Sequence, residues 1–500
     1  MELFENKRKK QQFILSYITF MMNGMLALSI GSLLPFIRDA RGLEYTFCGM
    51  LVSLHSVGNL LSSFFAGALA VKIGRKKSIL LFNASYALAY LMILIGGNPV
   101  CLALAFILTG MARGATSNFS NMTINNLAPG QAWILNGLHA MFSVGAFLFP
   151  IFLTVLTAGA VGRWRIACVF MLAMGILSWL LYRAMPVDEM PQLMEKVHRD
   201  GEREGAESGN RENTDRIDGG RENADRVNCG RENADRIDGG RENADRINCG
   251  RENADRIDGG RENADRINCS RENVNRIDGH RESEEGKASG RKTEDSTGVG
   301  KDGKRSGSFF GEPMFILCTA TLFFYLCVEQ GVIGWLVTYF KDTGLLNPSL
   351  SQIMASVQWI MILAGRLTTA YLSTRLEKTK LLRVMGIGLI VFFLVLITGR
   401  TTPQIVIGIM GFGYSMAGIY PTTVSFAGKL IQKYPLSWSF MLTIASLGSI
   451  LMPSVIGRIA ESAGIFYGMS SLVVVIVIDM ALIIGLTAYR KRKEAMDKCM

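Results

Sequence analysis

"LLFNASYALAYLMILIGG", residues 80–97, runs through eighteen positions without a charge. About 20 apolar residues at 1.5 Å rise cross a hydrocarbon core of about 30 Å, so a run of this kind reads as a membrane-spanning helix. Near the other end "FYGMSSLVVVIVIDMALIIGLTAY", residues 466–489, repeats the pattern around a single acid, Asp479. Working outward, twelve such spans fall at roughly 12–37, 45–71, 78–97, 100–126, 133–158, 164–186, 313–340, 350–373, 380–399, 403–428, 436–460 and 464–489. They divide six and six around a polar middle. The expected architecture is an all-α integral membrane protein: an N-terminal six-helix half over 1–187, a polar linker over 188–312 and a C-terminal six-helix half over 313–500.

Composition agrees. The chain of 500 residues is 49% hydrophobic, and its mean hydropathy is +0.25 despite the polar middle. The formal charge of +11 would suggest nucleic acid in a soluble protein. Here Lys and Arg sit at helix ends, so the expected partner is the lipid bilayer and no nucleic acid. The first span is long, lacks a small-residue cleavage pattern and is followed by more spans, so it is expected to stay in the mature chain. The basic segments "NKRKKQQ", "KIGRKK", "RLEKTK" and "YRKRKEAMDK" all fall on one side of the alternating spans. The positive-inside rule places that side, with both termini and the linker, in the cytoplasm, and the spans in the cytoplasmic membrane.

The linker contains a decapeptide, as in "GRENADRIDGGRENADRINCG" over 230–250, in eight tandem copies from about Arg211 to Gly290. Each copy offers one Ile or Val against two Arg and two or three acids, so stacking them buries almost nothing. A long insertion between the halves costs little, because loop-closure entropy grows only logarithmically with length. The repeat is expected to be a disordered spacer, with a partner-binding or regulatory segment as the alternative. Its Cys229, Cys249 and Cys269 are twenty residues apart, without the close His or Cys partners that zinc needs. No metal and no cofactor is expected.

Two six-helix halves could form a transporter, a membrane enzyme or a receptor. An enzyme would present a reactive cluster. With four His in the chain, and only His55 and His139 inside spans, that reading is set aside. A transporter places isolated polar residues on the faces of many helices around a shared cavity. His55, Asn59 and Ser62 recur on one helical face of the second span; Gly114, Asn118, Asn121 and Asn125 on one of the fourth; Asn136, His139 and Ser143 on one of the fifth. Gly110 precedes the second set as a small residue suited to close helix contact. Each face also has a plain reading, in which buried amides and hydroxyls tie helices together.

"GALAVKIGRKK", residues 67–77, resembles the loop signature between the second and third helices of the major facilitator superfamily, through Gly67, Leu69, Ala70, Gly74, Arg75 and Lys76, with Lys72 in place of Arg. Val71 stands where that family has an Asp that latches the inner gate, and Thr374 stands at the acidic place of the second half. Further stretches are similar to the fucose-permease-like, sugar-transporting branch. They are "NNLAPGQAWILNGLHAMFSVGAFLFP" through Asn136, His139, Phe142, Gly145 and Pro150, and "FYLCVEQGVIGWLVTYF" through Glu329, Trp335 and Tyr339. Gly365 and Arg366, then Gly411, Gly413 and Pro421, then Gly448, Pro453 and Gly457 continue the likeness through the eighth, tenth and eleventh helices.

The resemblance implies a secondary transporter that alternates its facing around a site between the halves. In that branch acids of the first and fourth helices take part in moving sugars with protons. The corresponding positions here are Asn23 and Ser117, both neutral. Sugars are held by amides and carboxylates over an aromatic face, and Asn59, Asn118, Asn121, Asn136, His139, Trp335, Gln358 and Trp359 are the candidate solute ligands. Glu329, inside the seventh span, is the candidate coupling residue, since a carboxyl there can take a proton in one facing state and release it in the other. Arg75, Arg113 and Arg366 are candidate gating or structural charges, with Arg113 better placed for the cavity. The expected function is transport of a small polar solute such as a sugar, with a proton, by a monomer. Efflux of lipophilic or cationic compounds and a non-transporting membrane sensor stand as the alternatives.

Overall fold

The computed structural model describes residues 6–128, 132–158, 160–187, 309–373 and 375–499, together with four short strands in the repeat. In the first half the helices are α1 (Lys7–Arg41), α2 (Tyr45–Ile73), α3 (Arg75–Ile95), α4 (Pro99–Leu127), α5 (Ala132–Thr157) and α6 (Trp164–Ala184). In the second they are α7 (Pro313–Asp342), α8 (Pro348–Leu372), α9 (Lys378–Thr398), α10a (Thr402–Met416), α10b (Ile419–Lys433), α11 (Pro435–Ala463) and α12 (Ile465–Cys499). Taken with α10a and α10b as one span, these are twelve segments long and apolar enough to cross a membrane.

Sequence chemistry sets the boundaries. Asn98 and Asn347 cap α4 and α8 by accepting the N–H groups of Cys101 and Leu350, each at 2.7 Å. Pro99, Pro313, Pro348 and Pro435 occupy first-turn positions, where the missing N–H costs no hydrogen bond. The tenth span is split because Pro421 has no N–H for the carbonyl four residues earlier, that of Ala417, and its ring crowds that carbonyl.

The packing repeats itself with a shift of six helices. The pairs α1·α5, α2·α4, α3·α4 and α3·α6 of the first half recur as α7·α11, α8·α10a, α9·α10a and α9·α12 in the second. The halves meet through α2·α11, its equivalent α5·α8, and α1·α7. A two-fold relation between the halves therefore generates both the internal contacts and the seam. Because the spans alternate, the termini lie on one side, and the α1–α2 and α7–α8 connections lie on the other, here called the far side.

The repeat forms a separate unit within Pro191–Lys304. Four strands, β1 (Arg226–Asn228), β2 (Asp235–Arg236), β3 (Asp245–Asn248) and β4 (Asp255–Ile257), make a sheet of order β2-β1-β3-β4. β1 pairs antiparallel with β2 and parallel with β3, matching Val227 to Ile247. The expected long polar loop between the halves stands, and these strands of two to four residues are short backbone pairings within it. A ten-residue period presents the same Asp-Arg-Ile segment again and again, and equal segments can pair through their backbones without burying a core. Cys229, Cys249 and Cys269 lie outside the described residues.

Candidate functional site

The turn between α2 and α3 carries the signature of residues 67–77. Gly74 sits at φ 90, a conformation that side chains disfavour. The turn aims Arg75 inward, where it is buried with its guanidinium 5.5 Å from the centre of the Phe119 ring on α4. Lys76 donates to the carbonyl of Met185 at the end of α6, at 3.0 Å. Arg75 thus fastens helices within the first half. Val71, at the place of the latch acid, is 67% exposed and apolar, so no carboxylate is offered there.

On α4, the Gly110–Gly114–Asn118 face packs against α2. A Cβ at Gly110 would overlap the His55 carbonyl, and one at Gly114 would overlap the carbonyl of Asn59. Asn118 donates to the Ser63 carbonyl at 3.0 Å and borders a groove with Ala66, Gly67, Arg75 and Met122, all of the first half. Asn118 is therefore corrected to a residue of the α2–α4 seam. Its neighbour Ser117 turns the other way, toward α1, and accepts from the amide of Asn23 at 2.9 Å.

Midway along α4, Arg113 enters the space between the halves. One of its Nη atoms lies 3.4 Å from Nε2 of the buried His55, whose Nδ1 lies 2.9 Å from Thr109 Oγ1. Thr109 spends its own proton on the Phe106 carbonyl at 2.6 Å. The network assigns the ring proton to Nδ1 and leaves Nε2 to accept from Arg113. The backbone carbonyl of Arg113 also accepts from Asn23, at 3.3 Å.

Across from it, Glu329 on α7 accepts from Tyr325 Oη at 3.2 Å and lies within electrostatic reach of Arg113. Arg366 on α8 acts on His139 of α5, and Arg366 and Glu329 together act on Tyr325 and on Tyr420 of α10b. Arg113, His139, Glu329 and Arg366 are half-buried although they lie deep within long apolar helices. Water-sized space therefore reaches this depth. Arg366 lies two turns beyond Trp359 on the same face of α8, the face that meets Phe142 of α5, so it stands with Arg113 as a second half-buried guanidinium at mid-span. Phe20, Phe142 and Trp359 continue the lining, with Phe20 edge-on to His139 at 5.5 Å and Phe142 5.6 Å from Trp359.

The remaining solute-ligand candidates separate. Gln358 and Trp359 are buried, and Gln358 Nε2 and Trp359 Nε1 have no partner among the described residues. Asn121 Oδ1 and Asn23 Oδ1 are likewise unpartnered. Buried polar atoms are normally satisfied, so these are groups available to a solute or its waters. Asn59 is half-buried, and its backbone carbonyl accepts from Ser62 at 3.1 Å and Ser63 at 2.8 Å. Trp335 is corrected: it is 0% exposed and donates to the Pro453 carbonyl at 3.1 Å. With its N–H used and no surface free, it joins α7 to α11. The side chain of Asn136 lies outside the described residues.

The sequence reading missed a cluster on the far side. Arg38 at the end of α1 pairs with Asp342 at the end of α7, and Lys341 of α7 pairs with Asp39 of α1. Tyr45 adds its hydroxyl to Asp342 at 2.9 Å and its N–H to Glu461 at 2.6 Å. Below them Ser53 meets Ser454 at 2.7 Å, and Gln352 donates to the Ser32 carbonyl at 2.7 Å. The signal was present in the sequence. Both halves end their first helix in a basic residue followed by Asp, Arg38-Asp39 and Lys341-Asp342, and a two-fold relation crosses such pairs.

The comparisons with known proteins fit this architecture. A glucose/mannose transporter of Bacillus subtilis is 29% identical over 160 residues, 30% of this chain and 39% of the relative. An uncharacterized transporter of Yersinia pestis is 27% identical over 139 residues, 27% of this chain and 36% of the relative. The chain thus spans little more than a third of the length of the curated relatives it matches. Among solved structures, the D-xylose-proton symporter superposes with a TM-score of 0.62 at 12% identity, covering 96% of this chain and 97% of that one. A mutant of the nucleoside transporter NupG gives 0.60 at 11%, covering 96% and 99%. At such identities the likeness is one of fold. The family model described as Major Facilitator Superfamily matches residues 13–453, and the chain belongs to that superfamily as a multi-pass membrane protein.

Proposed function

We propose that the protein is a secondary active transporter of a small polar solute of the sugar type, moved together with a proton by alternating access. The observation that carries this reading is the meeting of polar side chains from both halves at mid-depth. Asn23, Arg113 and His139 face Glu329, Arg366 and Tyr420 there, in a space walled by apolar helices. A site shared by two bodies can be exposed to either side if the bodies rock about it. The crossed pairs at Arg38, Asp39, Lys341 and Asp342 act as the far gate, closed in this state. With the basic loops in the cytoplasm, the open side is cytoplasmic.

Glu329 is the coupling group in this reading. It is the acid that the cleft arginine and both cleft phenols sense. The unpartnered amide atoms of Asn23, Asn121 and Gln358 are the partners for a sugar's hydroxyls in this reading, and the Phe142–Trp359 ring pair is the apolar floor. The glucose/mannose transporter among the relatives and the xylose symporter among the structures agree with that class.

Thermal stabilisation of the purified full chain by neutral sugars, polyols, nucleosides and a lipophilic cation tests the class. A ligand at about ten times its Kd adds about 1.4 kcal/mol. Stabilisation by polyhydroxylated compounds is expected. Stabilisation by the lipophilic cation alone would overturn the reading.

A further inference from the structure

We infer that the solute carries an anionic group, a carboxylate or a phosphate, held between Arg113 and Arg366. The inference rests on the transport reading and narrows the solute class of the same site. Among the described residues, Arg113 on α4, Arg366 on α8 and Glu329 on α7 are half-buried at mid-span, with Glu329 accepting from Tyr325 at 3.2 Å and the Arg366 face of α8 set against α5 by Trp359 and Phe142. Neither arginine is in an ion pair among the described residues, whereas the far-side charges of this chain are paired directly. Asn23 and Ser117, the polar neighbours of Arg113 toward α1, are neutral and meet each other at 2.9 Å. With two arginines against one carboxylate, the cleft keeps a net positive charge.

A half-buried guanidinium at bilayer depth is costly unless paired or hydrated. It presents five N–H donors in a planar fork, which suits a carboxylate or phosphate better than a neutral hydroxyl. Arg113 gives little of this capacity to the protein, since its side chain makes one long contact, to His55 at 3.4 Å. Arg366 gives none to a described neighbour, although it acts electrostatically on His139 and Tyr420. α4 and α8 belong to opposite halves. An anion between them would bridge the bodies that must rock together.

The arrangement also links solute to proton. With Glu329 ionised, one positive charge is already compensated. Protonation of Glu329 frees both arginines for the anion, so proton and solute favour each other's binding, and the coupling is reciprocal by linkage. A neutral solute gains nothing from this device.

The test uses the purified full chain and three probes of one skeleton: glucose, glucuronate and glucose 6-phosphate. Half-saturation of thermal stabilisation is measured for each. At least one anionic probe is expected to bind ten times more tightly than glucose, and whichever does so identifies the anionic group. Arg366→Gln should erase that preference and Arg366→Lys should keep part of it, with the unliganded melting temperature and size-exclusion profile confirming the fold of both variants. Equal binding of the three probes, or a preference unchanged in Arg366→Gln, would overturn the inference and leave the sugar-type reading standing. If no polyhydroxylated probe of either charge stabilises the protein, both readings fall together.

Discussion

Guanidinium and carboxylate groups occur in two places between the halves, and the protein treats them in opposite ways. On the far side Arg38 meets Asp342 and Lys341 meets Asp39 in direct pairs, tightened by Tyr45. At mid-depth Arg113, Arg366 and Glu329 lie half-buried on α4, α8 and α7 with no ion pair closed among the described residues. The difference is one of task. A closed pair lowers the energy of one arrangement of two bodies, while charges held apart keep their capacity for something that comes between them. In the proposed mechanism the former is a clasp and the latter a site.

The largest effect expected from breaking this comparison is at Arg113. Arg113→Leu removes the cleft charge with its link to His55, and transport in proteoliposomes should fall to background. Arg366→Lys keeps a charge and should retain part of the activity. The reverse order would exchange the two arginines' roles.

A smaller effect is expected at the clasp. Asp342→Asn removes the charge of one crossed pair and weakens the acceptor of Tyr45, in a partly solvated place where such a pair contributes on the order of 1 kcal/mol. Opening toward the far side should become several-fold more frequent. Cys48 is a native reporter, because it is buried just beneath this cluster, within reach of the charges of Arg38 and Asp342. Its labelling by an impermeant maleimide, read by peptide mass spectrometry, should speed up by that factor. An unchanged rate would mean that these charges do not hold the gate.

The smallest effect is expected at the repeat. Replacing residues 205–305 with a short Gly/Ser linker should leave transport within a few-fold of the parent, because α2·α11, α5·α8 and α1·α7 hold the halves together. Loss of correctly inserted protein would show that the repeat does more than join them.

These regions also show what a sequence reveals. The twelve spans were legible, since length and lack of charge fix a membrane helix almost alone. The site was legible in part. Arg113 and Glu329 stood out because a charge inside an apolar run needs a reason. Asn118 and Trp335 could not be sorted, because periodicity places a residue on a helical face without saying whether a neighbour or a cavity lies opposite. Asn118 turned out to meet the Ser63 carbonyl, and Trp335 the Pro453 carbonyl. Arg366 looked like a charge reaching for a helix end, and only the packing of α5 on α8, with Phe142 against Trp359, shows which side of α8 faces the other half. The clasp was missed because its residues read as ordinary loop charges until the two halves are laid over each other.

If the separated charges bind and couple, the sharpest probe is Glu329→Gln in proteoliposomes. Gln imitates the protonated carboxyl and cannot release a proton. With the labelled solute chosen by the stabilisation panel, the account predicts that exchange of labelled for unlabelled solute continues within a few-fold of the parent, while accumulation driven by a proton gradient is abolished. Retained accumulation, or loss of both activities in a correctly folded protein, would contradict it.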